Sequence, residues 1–418
     1  MIRSNLPALC GPLRLTSTLV VLLFSVSVNS TLIGQQVAVK GGRIIPIVGD
    51  PIENGVILIR DGKIIKVGKD LNIPIDATVI DASGKVVMPG FVEVHSSAAM
   101  SQANEQNPNV PFLSVVDSID PARSYFEEAR RNGVTTVAVT PGNSTMIGGQ
   151  SAVIKTAGGF VESMILKRHA GLKISLRPTS GASRMSHYAK LRTELEKAKR
   201  SLEDEEKKRA ADTTTDSSDE SIKRTALQKL LRGELQAIVY CENAMDVAQA
   251  LKLGVQYKWQ SLLVLGRDCD RAVELVAKNK LAVVLDSTLV FWRTDPRSGE
   301  DEKIVVPAIY RDKHVPFVFQ TSSSSGLGSR FLWYQAAIAV KYGMPVDEAL
   351  EALTLQPAKL LGVDQFVGSI EVGKDADLII LSGDPLKVST WVEKTIVNGK
   401  LVYEREKDTK LKKLLAPK

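Results

Sequence analysis

The pattern of apolar and polar positions changes rhythm twice along this chain. Residues 37–90 carry short β-branched runs separated by turn residues. Between Gly55 and Gly68 two such runs meet at Asp61-Gly62, a dipeptide that tolerates the positive φ values of a tight type I′ hairpin. Val79-Ile80-Asp81 and Lys85-Val86-Val87-Met88 add short strands around Ser83-Gly84. From Pro89 onward apolar strands alternate with helical stretches. The pattern predicts strands over 91–95, 134–139, 172–176, 237–241, 262–265, 281–285 and 316–320, with helices over 121–131, 244–253, 271–278 and 330–342. Repeated β-then-α units with apolar strands indicate a parallel sheet. They suit a closed (β/α)8 barrel over 91–362, with 151–155 as the candidate eighth strand. A last helix is expected over 347–361, ending at Gly362. Strands then return at 377–381 and 395–402, the latter hinged at Asn398-Gly399. The expected fold class is α/β: a TIM-like barrel beside a small β-sandwich built jointly by 37–90 and 363–403, with a basic tail over 404–418.

One stretch interrupts the barrel rhythm, a charged helical insertion at about 188–235. Tyr188, Leu191, Leu195, Ala198 and Leu202 recur at spacings of three and four, a narrow apolar stripe on a helix. Glu203 and Lys207, Asp204 and Lys208, and Glu205 and Arg209 are i,i+4 pairs in the favourable order. The polar run 213–221 reads as a flexible link. Two readings stand: a solvated helix projecting from a barrel loop, or a helical hairpin that packs on a partner subunit.

Composition narrows the function classes. Of 418 residues, 44% are hydrophobic and 24% charged, which excludes a disordered or collagenous chain. Aromatic residues are only 5%, so the core must come from Val, Ile, Leu and Ala. The net charge of +7 is spread along the chain and forms no basic stripe with interleaved aromatics, which argues against nucleic-acid binding. The N-terminus has the form of an export signal over residues 1–30. Arg3 and Arg14 precede an apolar run at 19–24, with cleavage expected after Ser30 or near Gly34. The run is about half of the ~20 residues that span a bilayer. An exported location, periplasmic or extracellular, follows, with an uncleaved anchor as the alternative. With Cys10 in the signal, Cys241 and Cys269 make neither a disulfide framework nor a zinc CxxC pair.

Several strings resemble one family. Val86-Val87-Met88-Pro89-Gly90-Phe91-Val92-Glu93-Val94-His95 resembles the entry into the barrel of the amidohydrolase superfamily, and 368–381 resembles the exit from it. Residues 354–362 are similar to the helix that precedes that exit. Gly133-Val134-Thr135-Thr136-Val137 and 147–155 are similar to its imidazolonepropionase-like branch. The resemblance implies hydrolysis of carbon–nitrogen bonds other than peptide bonds, by water activated on one or two divalent metals.

The implied ligands are largely missing. Family members carry His-x-His at the end of the first strand, where alternation turns both imidazoles into the mouth. Here the string is His95-Ser96-Ser97, and a hydroxyl is a weak zinc ligand. Tyr240 stands where the next strand histidine is expected, the strand at 262–265 has none, and Ser322 stands at the expected general-base aspartate. A serine hydroxyl is no general base near neutral pH without an activating partner. Of the four histidines, His169 and His314 precede strands and are expected at the opposite rim, on the surface. A rebuilt site would use His95, His187 and Cys241 or Glu242. Lys155 is expected to be a solvent-exposed strand residue rather than a carboxylated metal bridge. The pocket candidates are therefore His95, Ser97, His187, Tyr240, Cys241 and Ser322, with His95 as a relic of the metal site.

Two functions stay open. The first is a non-catalytic amidohydrolase-like protein that binds a small molecule, alone, as a homo-oligomer or beside a related active subunit, with no cofactor assigned. The second is an active hydrolase of cyclic amides or dipeptide-like substrates with an unorthodox, one-metal site holding zinc or another divalent metal. For the N-terminus the expected outcome is a mature chain starting between about residues 29 and 37, read by mass spectrometry. An intact Met1 in an extracytoplasmic fraction would show an anchor instead.

Overall fold

The computed structural model describes residues 36–211, 225–321 and 330–415. The signal at 1–30, the link at 213–221 and Ser322 lie outside the described residues. The first strands are β1 (Gln36–Ile44), β2 (Ile52–Arg60), β3 (Lys63–Lys69), β4 (Thr78–Asp81) and β5 (Val86–Pro89). Asp61 and Gly62 both take positive φ, 51° and 79°, in the β2–β3 turn, as the tight hairpin requires.

The barrel region begins with β6 (Phe91–Ser96), α1 (Ser124–Arg131), β7 (Val134–Val139), β8 (Ile147–Lys155) and β9 (Ile165–Ser175). The charged insertion supplies α2 (Arg184–Ala211) and α3 (Ala226–Leu231). Then come β10 (Ala237–Asn243), α4 (Ala244–Tyr257), β11 (Ser261–Asp268), α5 (Val273–Lys278) and β12 (Val283–Val284). A separate hairpin of β13 (Val290–Thr294) and β14 (Asp301–Val305) precedes α6 (Val306–Asp312), β15 (Phe317–Val318) and α7 (Leu332–Lys341).

These strands form one eight-stranded sheet in the order β15-β12-β11-β10-β9-β8-β7-β6. Its inner face gathers Val92 and Val94 of the first strand with Ile238, Val264, Val284 and Val318 of later ones, so the sheet curls around a common interior. Two features depart from the expected closed (β/α)8 pattern. First, β8 is antiparallel to both neighbours. The links at 140–146 and 156–164 are too short for the crossover helix that parallel pairing needs. Second, β15 and β6 share no ladder among the described residues. Buried Glu93 bridges that seam instead, accepting from the Thr321 backbone N–H at 3.1 Å and from the Thr321 hydroxyl.

The helix expected over 347–361 is two, α8 (Val346–Glu351) and α9 (Leu355–Leu361). Pro357 explains the break, because its ring excludes a helical bond to the Leu353 carbonyl. That carbonyl accepts from Val92 N at 2.9 Å, tying the free edge of β6. Gly362 caps α9 at φ 64°. In the insertion, Leu191 and Leu195 are buried in one cluster with Leu227 and Leu230 of α3. The start of the apolar stripe is therefore covered by its own chain, while most of the remaining positions of α2 up to 208 are exposed or half-buried.

The chain ends with β16 (Leu378–Leu381), β17 (Val392–Val397), β18 (Lys400–Glu404) and α10 (Thr409–Leu415). These strands join the N-terminal ones through β5–β16 pairing, as a shared terminal unit should. The unit's strands are linked in one eight-stranded mixed sheet, and Ile57, Ile64, Leu378 and Ile396 from its two ends share one buried cluster. The first half of β1 pairs with β4 and its end with β5, on either side of Gly41-Gly42. The basic tail is anchored: Asp408 accepts from Arg131 Nε at 2.6 Å and from the Lys410 and Leu411 backbone N–H groups.

A buried ion cluster joins the two sheets. Lys155 on β8 places Nζ 2.8 Å from Asp375 and 2.6 Å from Asp377, and Lys63 reaches Asp375 at 2.5 Å. Lys155 is only 2% exposed, which corrects the expected solvent-facing position. Burial alone would push the Asp375 carboxyl up, but Lys155 and Lys63 hold it below its ordinary 3.8. Lys155→Met is expected to lower the unfolding free energy by roughly 3–5 kcal/mol, measured by urea denaturation, because it takes the ammonium from buried Asp377 and leaves Asp375 with Lys63 alone. A depressed carboxyl contributes its stability above the ordinary value and loses it as pH falls through the lower folded value. The acid limb below about pH 4 should therefore flatten in the variant. A change under about 1 kcal/mol would show the cluster to be solvated.

Candidate binding pocket at the barrel mouth

Strand alternation decides which side chains reach the mouth. On β9, Leu172 and Ile174 pack in the outer layer with the helices, which turns Lys173 inward. On β10, Ile238 and Tyr240 belong to the inner cluster, while Val239 and Cys241 belong to the outer one. Tyr240 and Cys241 thus cannot share a pocket. Cys241 is fully buried, burial pushes its thiol up, and its carbonyl accepts from Cys269 Sγ at 3.3 Å.

A cavity of about 930 Å³ opens at the mouth, lined there by His95, Ser97, Asn143, Tyr240, Asp286 and Gln320. Of the sequence candidates it brings together His95, Ser97 and Tyr240. His187 is absent from the lining. It is 1% exposed at the start of α2 and donates Nε2–H to the Ser175 carbonyl at 2.9 Å, so it pins that helix to β9. Glu242 is held by Arg177 and Arg184. His169 and His314 are exposed, as expected.

Two buried charges at the site were missed, although both sit in apolar strand runs where a charge is unexpected. Lys173, with no exposed surface, places Nζ 2.7 Å from His95 Nε2 and 2.8 Å from Asn143 Oδ1, and 5.5 Å from the Tyr240 ring centre. Burial pushes the ammonium down to about 7. Burial and the neighbouring Lys173 charge hold His95 well below 6.5, against the hydrogen bond to Gln320. A neutral His95 therefore accepts from Lys173 at Nε2. The second charge is Glu93, 2% exposed, which also accepts from the Tyr125 hydroxyl at 3.1 Å. Burial pushes its carboxyl up.

This donor set does not suit the family's metal. The one imidazole at the mouth has Nε2 engaged by an ammonium and a hydrogen bond to Gln320. Among the described residues no group of three or more His, Cys, Asp or Glu is arranged to hold a metal ion. Catalytic zinc ordinarily takes three protein ligands.

An amidohydrolase-type barrel carrying a composite terminal sheet is the class these features define. The amidohydrolase family model matches residues 86–402, and the chain belongs to that family. Imidazolonepropionase of Thermoplasma volcanium is 24% identical over 87% of this chain and 94% of its own length, which places the chain in the imidazolonepropionase-like branch. Amidohydrolase tasK of Hapsidospora irregularis is also 24% identical over 85% of this chain, which spans only 42% of that protein. Among solved structures, an amidohydrolase from Thermotoga maritima is 27% identical, covers 88% of this chain and all of its own, and superposes with a TM-score of 0.77.

Replacing Lys173 by methionine keeps the volume and removes an unpaired buried charge. Lys173→Met is expected to stabilise the protein by roughly 1–4 kcal/mol at pH 6, measured by thermal or urea unfolding. A lysine with a lowered folded value costs most below about 7, and the cost fades as pH rises toward the ordinary 10.5. The gain should shrink accordingly. Destabilisation at pH 6 would show that Lys173 has a charge partner.

Proposed function

We propose that this protein is a ligand-binding member of the amidohydrolase family, in which the barrel mouth holds a small molecule and metal-dependent hydrolysis has been lost. The observation that carries this reading is the 2.7 Å contact between Lys173 Nζ and His95 Nε2. A dication on that nitrogen would compete with the ammonium for one lone pair and face its charge at close range. Tyr240 and Ser97, beside His95 in the lining, are poor substitutes for the histidines the family places there. The cavity has the size and mixed apolar and polar walls of a small-molecule site. The N-terminal segment supports export, and a homo-oligomer or an assembly with a related active subunit is the protein context this reading favours.

The test is the metal content of protein purified without chelators, measured by inductively coupled plasma mass spectrometry. The expected result is metal well below one equivalent, unchanged in His95→Ala. One tightly held equivalent of zinc, lost in His95→Ala, would establish the opposite reading, an active hydrolase with a one-metal site.

A further inference from the structure

The last helix carries an apolar stripe that the body covers at one end only. α10 holds three leucines and three lysines in seven residues, and no acidic residue. Leu411, Leu414 and Leu415, at i, i+3 and i+4, share one face. Lys410 and Lys412 flank that stripe, and Lys413 lies on the opposite side. Leu411 is half-buried against the body, whereas Leu414 and Leu415 are 80% and 67% exposed. The helix is held at its start by its own chain. Buried Asp408 accepts from Arg131 Nε and from the Lys410 and Leu411 backbone N–H groups, and Lys410 Nζ reaches Glu127 at 2.6 Å. The two outer leucines therefore overhang the body in a set direction.

The neighbouring surface is of the same kind. Val388 and Trp391, between β16 and β17, are exposed, and with Leu411 they border one cavity. Arg405 lies 4.7 Å over the ring of Trp391. Nearby carboxylates are already engaged. Glu127 meets Arg131 and Lys410, Glu404 meets Lys394 and Lys407, and Asp408 meets Arg131. Exposed Glu406 stands between Arg405 and Lys407 in the chain. Lys412 and Lys413 are exposed and make no ion pair among the described residues. Exposed leucine and indole thus lie beside cations that the chain does not neutralise.

A second copy of the chain is a poor cover for this face, because a two-fold interface would set the same lysines against one another. A layer of negative charge over an apolar interior matches both halves of the patch. We propose that this face docks on an anionic phospholipid surface. Leu414, Leu415 and Trp391 enter the headgroup boundary, where indole rings and leucines on a basic helix are favoured. Lys412 lies beside the phosphates, and Lys413 stays within a screening length of them, ~10 Å at 0.1 M salt. The docking is independent of whether the barrel mouth holds a metal.

Flotation of the mature chain, beginning after Ser30, tests it with two sets of vesicles: phosphatidylcholine alone, and phosphatidylcholine with about one-third phosphatidylglycerol. The bound fraction should be at least about tenfold higher on the anionic vesicles and should fall as salt rises from about 0.1 M to about 1 M. Leu414→Ser with Leu415→Ser, and separately Lys412→Glu with Lys413→Glu, should each cut that binding at least about fivefold. All four positions are exposed, so the melting temperature of both variants should match that of the wild type. No binding to either set of vesicles, or equal binding to both, would overturn the proposal. Anionic binding unchanged in both double variants would place the contact elsewhere and overturn the role of α10. A wild-type dimer that the leucine variant breaks, without vesicle binding, would assign the face to a second copy instead.

Discussion

The contact between the Lys173 ammonium and His95 Nε2 constrains everything the barrel mouth can do. It ties the family's first-strand histidine to a fourth-strand lysine and keeps the imidazole neutral. It also turns the nitrogen that would face a metal toward a proton donor. The rest of the mouth is consistent with that choice. Tyr240 covers the ammonium with a ring, Asn143 offers an amide oxygen, and Gln320 binds the histidine while donating to the Leu285 carbonyl at 3.1 Å. Each of these groups is neutral and suited to a cation already supplied by the chain.

The barrel holds that arrangement through two other buried charges. Glu93 spans the seam where, among the described residues, the first and last strands share no ladder, joining β6 to Thr321. Lys155 joins the antiparallel strand β8 to the aspartates leading into β16, so the terminal sheet and barrel are held across one desolvated cluster. The turns of the terminal sheet meet there too. Gly62 leaves no room for a Cβ, which would lie 2.9 Å from the Asn398 carbonyl, and Asp377 accepts from Asn398 N at 2.8 Å.

Much of the fold was legible because its signals are local. Asp61-Gly62 and Asn398-Gly399 both form the positive-φ turns that their sequences announce. The barrel strands fall close to the apolar runs, and Gly362 ends its helix. Strand direction was harder, because alternation carries no polarity. The shortness of the links around β8 held the missing information. The continuity of the terminal sheet depends on β1 pairing with two strands along one edge, a non-local outcome at Gly41-Gly42. At the site, His95, Ser97 and Tyr240 were readable from the family strings. Cys241 was misplaced by neglecting that adjacent strand residues face opposite ways. Lys155 was read as exposed and Lys173 was passed over because a lysine is usually exposed, and only the fold shows whether a buried one has a partner.

The most direct measurement is nitrogen NMR of protein labelled with 15N only in its four histidines, with His95 assigned by substitution. At about pH 6, near the ordinary histidine value, His95 should be neutral, with its proton on Nδ1 and Nε2 as the hydrogen-bond acceptor. Its resonances should not move when one equivalent of zinc is added. An imidazolium at that pH, or an Nε2 resonance shifted by stoichiometric zinc, would contradict the account.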